Sequence, residues 1–291
     1  MNQSPLLPVL LGATPVSRFL SDYYLKRPFG RSGASFDVLG STSPMELIAA
    51  SLSAQTQDIL IGRQGSILDT PHDLTIEQAR EFLSQGQTIG IRHVQGNHPQ
   101  LQWLAQAFTK ELGGNTDIHL YWTPAAQPGF GWHYDAEEVF ILQLLGTKHW
   151  RIRKNTVHPW PLLESIPVNQ AYGQEIMPYL SCQLKAGDWL YIPNGYWHCT
   201  TAEEESISLS VGIRASTCMD LFDLLRLRLL DSIEWRERLP CRSAADSSTR
   251  RVALREILHR LGLSLRSAMD NEEFLASILQ REEQVLVEVE E

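Results

Sequence analysis

Two histidines and one aspartate have the types and spacing to bind a single metal ion. His133 and Asp135 are two residues apart, and in a β-strand this spacing directs both side chains to the same face. His198 follows much later, after an apolar run and a Pro-Asn-Gly turn. Two histidines and one carboxylate form the facial triad of non-haem Fe(II) oxygenases, which leaves one side of the metal free for a 2-oxoacid and O2. Each residue alone also fits an ordinary structural role, and it is the combination that favours a metal site.

A lysine in the same region is a candidate partner for a bound anion. A 2-oxoacid that chelates iron has a distal carboxylate, and an unpaired charge inside a protein is costly. Gly146 and Thr147 favour a two-residue turn that joins VFILQLL to KHWRI as a β-hairpin and pairs Leu145 with Lys148. In this register Lys148 faces the same way as the metal ligands, so we expect it to bind the carboxylate. The alternative is a solvated lysine beside a turn, which is the usual state of lysine.

The chain that must position these residues changes character twice. Capping boxes at 43–46 and 75–78 predict the starts of helices, residues 88–94 predict a strand, and residues 97–112 predict an amphipathic helix. From 117 to about 213, short apolar runs alternate with Gly, Pro and Asn, which is typical of a β-sandwich or barrel. The pattern is then helical again. The sequence therefore predicts a mainly β protein with helical additions.

We expect two regions within this chain. Residues 1–215 form the β domain together with its N-terminal helical entry, and residues 216–291 form a C-terminal helical region. The first helix of the second region, CMDLFDLLRLRLLDSIEW, is apolar around most of its circumference. Such a helix is buried in a core or against a partner subunit. We therefore expect the C-terminal helices to form a homodimer interface.

Composition limits the classes of partner and compartment. With 34 acidic and 25 basic residues the formal charge is −9, which argues against a nucleic-acid-binding role because that role needs clustered Lys and Arg. Four cysteines without a CxxC pair indicate a reducing compartment and no zinc knuckle. No stretch approaches the ~20 apolar residues of a membrane span, and the N-terminus lacks a basic leader region. We expect a cytoplasmic protein that does not contact a membrane.

Taken together, the motifs resemble the JmjC-type 2-oxoglutarate oxygenases, and among them the ribosomal oxygenase (cupin-like protein hydroxylase) group. YWTPAAQPGFGWHYDAEEVFILQLLGTKHWRI is similar to that group's Tyr-x-Thr-Pro strand, glycine-containing loop, His-x-Asp motif, Phe-x-x-Gln strand and Gly-x-Lys-x-Trp segment. KAGDWLYIPNGYWHCT and FLSDYYLKRPF resemble its second-histidine segment and its entry helix. The resemblance covers roughly residues 15–30 and 88–218. It implies a double-stranded β-helix of the cupin or jelly-roll type.

The resemblance also implies a role for individual residues. It implies that Fe(II) is held by His133, Asp135 and His198, and that Lys148 binds the C5 carboxylate of 2-oxoglutarate. It points to no catalytic side chain beyond the metal site.

Several further residues are candidates for the pocket wall. By resemblance, Tyr121 and Ser210 line the pocket for co-substrate and substrate, although Tyr121 also suits a core position. Ser206, Ser208 and Ser210 alternate with apolar residues, so one face of their strand is polar. We assign Ser208 to the substrate pocket and place Ser206 on the wet face of an edge strand. Trp132 flanks a metal ligand, and we expect it to wall the pocket and contact substrate.

These expectations describe an Fe(II)- and 2-oxoglutarate-dependent hydroxylase that uses O2 on a side chain of a protein or peptide, with ribosomal proteins among the candidates. Two alternatives stay open. The same chemistry can act on a small molecule, a precursor peptide or a tRNA base, or the barrel can be a catalytically silent metal-binding module. The ribosomal members carry a winged-helix-like domain after their helical dimerisation region. We expect none here because the chain stops too soon, and this leaves the substrate open.

Overall fold

The computed structural model describes residues 5–63, 65–68, 71–167, 170, 172–174, 176–240 and 247–290. The chain divides into two compact units, Met1–Ala215 and Ser216–Glu291. Among the described residues, no helix combines the length and the apolar character that crossing a membrane requires.

Six helices in the described part of the first unit precede or interrupt its strands. They are α1 Leu6–Leu11, α2 Val16–Asp22, α3 Ser35–Leu39, α4 Pro44–Leu52, α5 Ile76–Ser84 and α6 Pro99–Leu112. The predicted capping boxes are present: the Ser43 hydroxyl accepts the Glu46 N–H at 3.2 Å, and the Thr75 hydroxyl accepts the Gln78 N–H at 3.3 Å. These bonds satisfy backbone donors that have no partner within the helix, so α4 and α5 begin where the sequence predicts.

Eleven strands in the described residues form two antiparallel sheets. The large sheet has the order β1-β9-β6-β11-β5-β4-β2-β3, and the small sheet has the order β10-β7-β8. The strands are β1 Phe29–Arg31, β2 Asp58–Arg63, β3 Ser66–Leu68, β4 Thr88–Arg92, β5 Asn115–Thr123, β6 Glu138–Leu145, β7 Lys148–Arg153, β8 Tyr179–Leu184, β9 Trp189–Ile192, β10 Trp197–Ala202 and β11 Ser206–Arg214. Two facing sheets of this kind are the architecture that the sequence predicts.

The large sheet separates two apolar cores. Along β6, Phe140 and Leu142 belong to the core that the sheet shares with the N-terminal helices, whereas Val139 and Ile141 belong to the barrel interior. Alternate residues of a strand point to opposite faces, so β6 is buried on both sides. This explains why VFILQLL is a continuous apolar run rather than an alternating one.

The chain passes from the large sheet to the small sheet at Gly146, and the predicted β-hairpin is therefore wrong. β6 pairs with β9 and β11, whereas β7 pairs with β8 and β10. A short turn with glycine suits a corner between sheets as well as a hairpin. The inward direction predicted for Lys148 is nevertheless found, because both sheets turn one face to the same interior and Lys148 is buried there.

Gly146 is required at this corner by both its conformation and its surroundings. Its φ is 68°, and a Cβ there would clash with the backbone carbonyl of Glu205. We expect Gly146→Ala to lower the free energy of unfolding by about 3 kcal/mol, since left-handed strain alone costs roughly 1–2 kcal/mol. Gly33→Ala is the matched control, because Gly33 has a φ of 82° and no neighbouring atom within 4 Å of its Cβ position. Urea unfolding measures both variants, and equal losses would contradict the steric role of the corner.

The second unit is helical. It contains α7 Cys218–Leu229, α8 Ser247–Met269 and α9 Glu272–Glu290. Leu225, Leu229 and Phe274 form a small buried cluster. On α7, Met219 and Phe222 remain about half exposed, at 50% and 48%. Within the described residues, α7 is thus buried on only one of its apolar sides, although the sequence predicts a buried helix.

Candidate metal centre

Backbone pairing brings the two histidines together. His133 and His198 lie opposite each other and exchange two hydrogen bonds, from His133 N–H to His198 O at 3.1 Å and from His198 N–H to His133 O at 2.8 Å. The Cα atoms of such a pair are about 5.5 Å apart. Asp135 follows on the same strand-like segment. One side-chain donor atom from each of the three residues lies within 4.8 Å of the other two.

Second hydrogen bonds fix the tautomer of both imidazole rings. His133 Nδ1 lies 3.0 Å from the carbonyl of Gly131, and His198 Nδ1 lies 3.0 Å from the carbonyl of Tyr196. A carbonyl oxygen only accepts, so Nδ1 carries the proton and Nε2 keeps its lone pair. His198 Nε2 is 3.4 Å from a carboxylate oxygen of Asp135. The three residues therefore present two imidazole Nε2 atoms and one carboxylate, a set that suits Fe(II).

The centre is closed on one side and open on the other. The His198 side chain is 6% exposed, whereas the Asp135 side chain is 41% exposed. Burial, and then the neighbouring His133, lower the pKa of His198 to about 4. The imidazole is therefore neutral at physiological pH, which is the form that binds a metal. A molecule from solvent can reach the centre past Asp135.

Lys148 is a buried cation without an anionic partner. The residue is 2% exposed, and its Nζ donates a hydrogen bond to Ser208 Oγ at 2.9 Å. Within the described part of the chain no carboxylate pairs with it, and burial lowers the pKa of Lys148 to about 7. On the same face of β7, Ile152 lies opposite His198, which places Lys148 four residues along this strand from the row of His198. An ammonium in this environment favours a bound anion.

Two other predicted pocket residues lie on the same sheet face as Ser208, the hydrogen-bond partner of Lys148. Tyr121 is opposite Ser208 on β5 and β11, and Ser210 is one row further along the same face of β11. Burial, and then the charge of Asp135, raise the pKa of Tyr121. On β4, Gly90 lies opposite Tyr121 and leaves room for its ring. Tyr121, Ser208 and Ser210 therefore share the sheet face that is turned to the barrel interior.

One prediction about this strand is wrong. Ser206 is fully buried, and β11 lies in the middle of the large sheet between β5 and β6. It is therefore not on the wet face of an edge strand. The polar residues of β11 face the barrel interior. An alternating sequence pattern does not show whether the polar face of a strand is turned to solvent or to such an interior.

Trp132 is not brought together with the other predicted pocket residues. Its ring stacks on Tyr172 with centroids 4.1 Å apart, and the guanidinium groups of Arg151 and Arg153 lie 5.6 and 5.9 Å from its centre. Both arginines belong to the face of β7 opposite to Lys148. Because His133 points inward, the residue before it points outward. The tryptophan therefore packs on the outer side of the segment that carries His133 and Asp135.

A polar cluster near the metal centre was missed from the sequence. His93 Nδ1 lies 2.9 Å from Asp117, and the His93 N–H donates to His119 Nδ1 at 3.2 Å. The charge of Asp135 contributes to the electrostatic environment of His119. The alternation Asp117, His119, Tyr121 was the available signal, since period 2 places all three on one face.

Comparison with known proteins shows which family these features resemble. The family model described as JmjC domain matches residues 93–221. This segment contains all three candidate ligands and Lys148. This part of the chain is therefore similar to JmjC domains. Ribosomal oxygenase 1 of Gallus gallus is 33% identical over 150 residues, which cover 48% of this chain and 24% of that protein. The bifunctional lysine-specific demethylase and histidyl-hydroxylase NO66 of Dictyostelium discoideum is 36% identical over 134 residues, which cover 42% of this chain and 25% of that protein.

The fold of the chain also matches solved structures. The ribosomal oxygenase YcfD from Escherichia coli, in complex with cobalt and 2-oxoglutarate, has a TM-score of 0.60 at 20% identity. The match covers 90% of this chain and 69% of that one. The same protein in complex with cobalt and succinic acid has a TM-score of 0.56. These comparisons confirm the predicted JmjC-like fold and the resemblance to ribosomal oxygenases, whereas the chain spans only about a quarter of the length of the two sequence relatives.

Proposed function

We propose that this chain is an Fe(II)- and 2-oxoglutarate-dependent oxygenase that hydroxylates a side chain of a polypeptide, with ribosomal proteins as candidate substrates. One observation carries the proposal. The barrel holds a buried Lys148, which pairs with no carboxylate of the described residues, together with two histidines and an aspartate whose donor atoms converge. A dicarboxylic oxoacid can chelate the metal with its 2-oxoacid end and pair its distal carboxylate with the lysine. The donor set and the lysine therefore fit both the metal and the co-substrate.

Each residue has a defined part in this proposal. His133, Asp135 and His198 hold the metal, which together with O2 supplies the oxidising chemistry. Lys148 binds the C5 carboxylate of 2-oxoglutarate, and Ser208 holds the ammonium in place by accepting its hydrogen bond. The apolar interior excludes water, so the lysine acts in an environment where charge pairing is strong. The open side at Asp135 admits the substrate.

The relatives support the choice of co-substrate and substrate. YcfD was solved with 2-oxoglutarate and with succinic acid. These are the co-substrate that we propose and the product of its decarboxylation. Two groups of relatives are named for ribosomal oxygenation and for histidyl hydroxylation, and the second name also includes lysine demethylation. We favour hydroxylation here. We also propose a cytoplasmic location, because Cys182, Cys199 and Cys218 are free thiols.

A turnover assay with product analysis tests the proposal. We expect the purified chain to convert 2-oxoglutarate to succinate only with Fe(II) and O2, and to add one oxygen atom to a protein in host lysate. Mass spectrometry of treated and untreated lysates identifies that protein. Loss of a methyl group with release of formaldehyde would instead show a demethylase. Metal and 2-oxoglutarate binding without any succinate would favour a silent binding module.

We further propose that the helical unit mediates homodimerisation through α7, whose Met219 and Phe222 are half exposed. An apolar surface of this kind is stabilised by a partner. We expect the wild-type chain to be a dimer in size-exclusion chromatography with light scattering, and Phe222→Glu to be a monomer. Leu20→Glu is the control, because Leu20 is 40% exposed but lies on α2 of the first unit. A wild-type monomer at micromolar concentration would contradict this proposal.

A further inference from the structure

A buried carboxylate lies behind the metal centre, on the helical side of the large sheet. Glu138 is 3% exposed and begins β6. One of its oxygens accepts a hydrogen bond from the Tyr191 hydroxyl, and the other accepts the Asn194 N–H at 3.3 Å. The Tyr191 hydroxyl in turn accepts the Leu25 N–H at 2.8 Å. The carboxylate thus joins the entry segment, β9 and the turn that follows β9.

This turn leads directly to the second histidine ligand. The N–H of Tyr196 donates to the carbonyl of Pro193 at 3.1 Å, and the N–H of Gly195 donates to the carbonyl of Asp135 at 2.9 Å. Two points of the 135–138 segment therefore hold the turn, one through the Asp135 backbone and one through the Glu138 side chain. The carbonyl of Tyr196, at the end of the turn, is the acceptor that orients the ring of His198.

We propose that Glu138 is a positioning residue of the metal centre, an inference that rests on the proposed function. By accepting the Asn194 N–H it fixes the turn, and the turn fixes the carbonyl that selects the tautomer and direction of the His198 imidazole. Groups that orient metal ligands in this indirect way typically change metal affinity by 10- to 100-fold when they are lost. Glu138 itself does not touch the metal or the substrate.

Cobalt(II) binding to the full chain tests the inference without turnover. Glu138→Gln keeps the size of the side chain but leaves one acceptor oxygen for two donors. We expect its dissociation constant for Co(II), measured by calorimetry, to rise roughly tenfold. We also expect the visible absorption spectrum of bound Co(II) to change, because the direction of one nitrogen ligand changes. Circular dichroism verifies that the variant is folded, and Glu138→Asp, which shortens the reach of the carboxylate, carries the same test if it is not.

Two variants separate positioning from loss of stability. Glu111→Gln is the matched control, because the Glu111 carboxylate also accepts two N–H groups, those of Leu6 and Leu7, at the start of α1 and far from the turn. Tyr191→Phe removes the link to Leu25 but keeps the contact of Glu138 with Asn194. We expect both variants to lose stability and to retain wild-type Co(II) affinity and spectrum.

The outcomes distinguish this inference from the function on which it rests. Unchanged Co(II) binding in Glu138→Gln would overturn the positioning role and leave the metal centre intact. Equal weakening in Glu138→Gln and Tyr191→Phe would overturn it as well, since general destabilisation would then account for both. A wild-type chain that does not bind Co(II) would contradict the proposed metal centre itself.

Discussion

Replacing His133 by alanine is expected to abolish metal binding and 2-oxoglutarate turnover together. The ring supplies one of three donors to a centre that has no protein ligand to spare among the described residues. We expect Fe(II) affinity to fall by at least about 100-fold, which is the upper range for losing groups that only orient a ligand. Anaerobic calorimetry with Fe(II) measures the affinity, and succinate formation measures turnover.

The chain offers a matched control for this variant. His149 lies on the outer face of β7, where it is exposed and bonded to Glu203. We expect His149→Ala to bind Fe(II) and to form succinate as the wild type does. Fe(II)-dependent succinate formation that persists in His133→Ala would contradict the assignment of the metal centre.

Replacing Lys148 by methionine is expected to remove 2-oxoglutarate binding while leaving the metal centre in place. Leaving one member of a buried ion pair uncompensated typically costs 3–5 kcal/mol, which corresponds to a loss of roughly 100- to 4,000-fold in affinity. Methionine keeps the length of the side chain without its charge. Calorimetry of 2-oxoglutarate binding to the Co(II)-loaded protein measures the loss, and Co(II) affinity is the internal control. Retained 2-oxoglutarate affinity would refute the role of the lysine.

The pH dependence of binding provides a second test of Lys148. Burial lowers its pKa to about 7 in the ligand-free protein, so above pH 7 an increasing share of the lysine is neutral. The dicarboxylate binds the charged form, and its affinity therefore falls by about tenfold per pH unit above pH 7. Lys148→Arg stays charged, so we expect its affinity, whatever its value at pH 7, to be flat up to pH 9. A flat wild-type profile over this range would contradict the proposed pairing.

The convergence of His133, Asp135 and His198 and the inward direction of Lys148 were predictable from local rules. Period 2 in a strand places His133 and Asp135 together, and a turn before His198 fixes where the second histidine points. Lys148 was correctly predicted to face inward although its hairpin was not, because in a two-sheet barrel the chain changes sheets without changing which face is buried. Local sequence cannot separate a corner from a hairpin when both need glycine at the same place.

The remaining features depend on which strands become neighbours. The sequence predicts an edge strand at Ser206, whereas β11 lies between β5 and β6 in the structure. The burial of Glu138 had no local signal, because its partners Tyr191 and Asn194 come more than fifty residues later in the chain. The sheet register that joins them is set by long-range packing. No short sequence motif indicates this register.

The mutual backbone pairing of the two histidines gives the centre a mechanical consequence. Neighbouring bonds from Gly129 to Thr200 and from Ala202 to Gln127 continue the pairing, so the two histidines lie on opposite segments of one paired stretch of backbone. An ion bound by both rings would link the two paired backbone segments to each other. Emptying the centre would then loosen the adjoining backbone as well as remove the reactive atom, and refilling it would restore both at once.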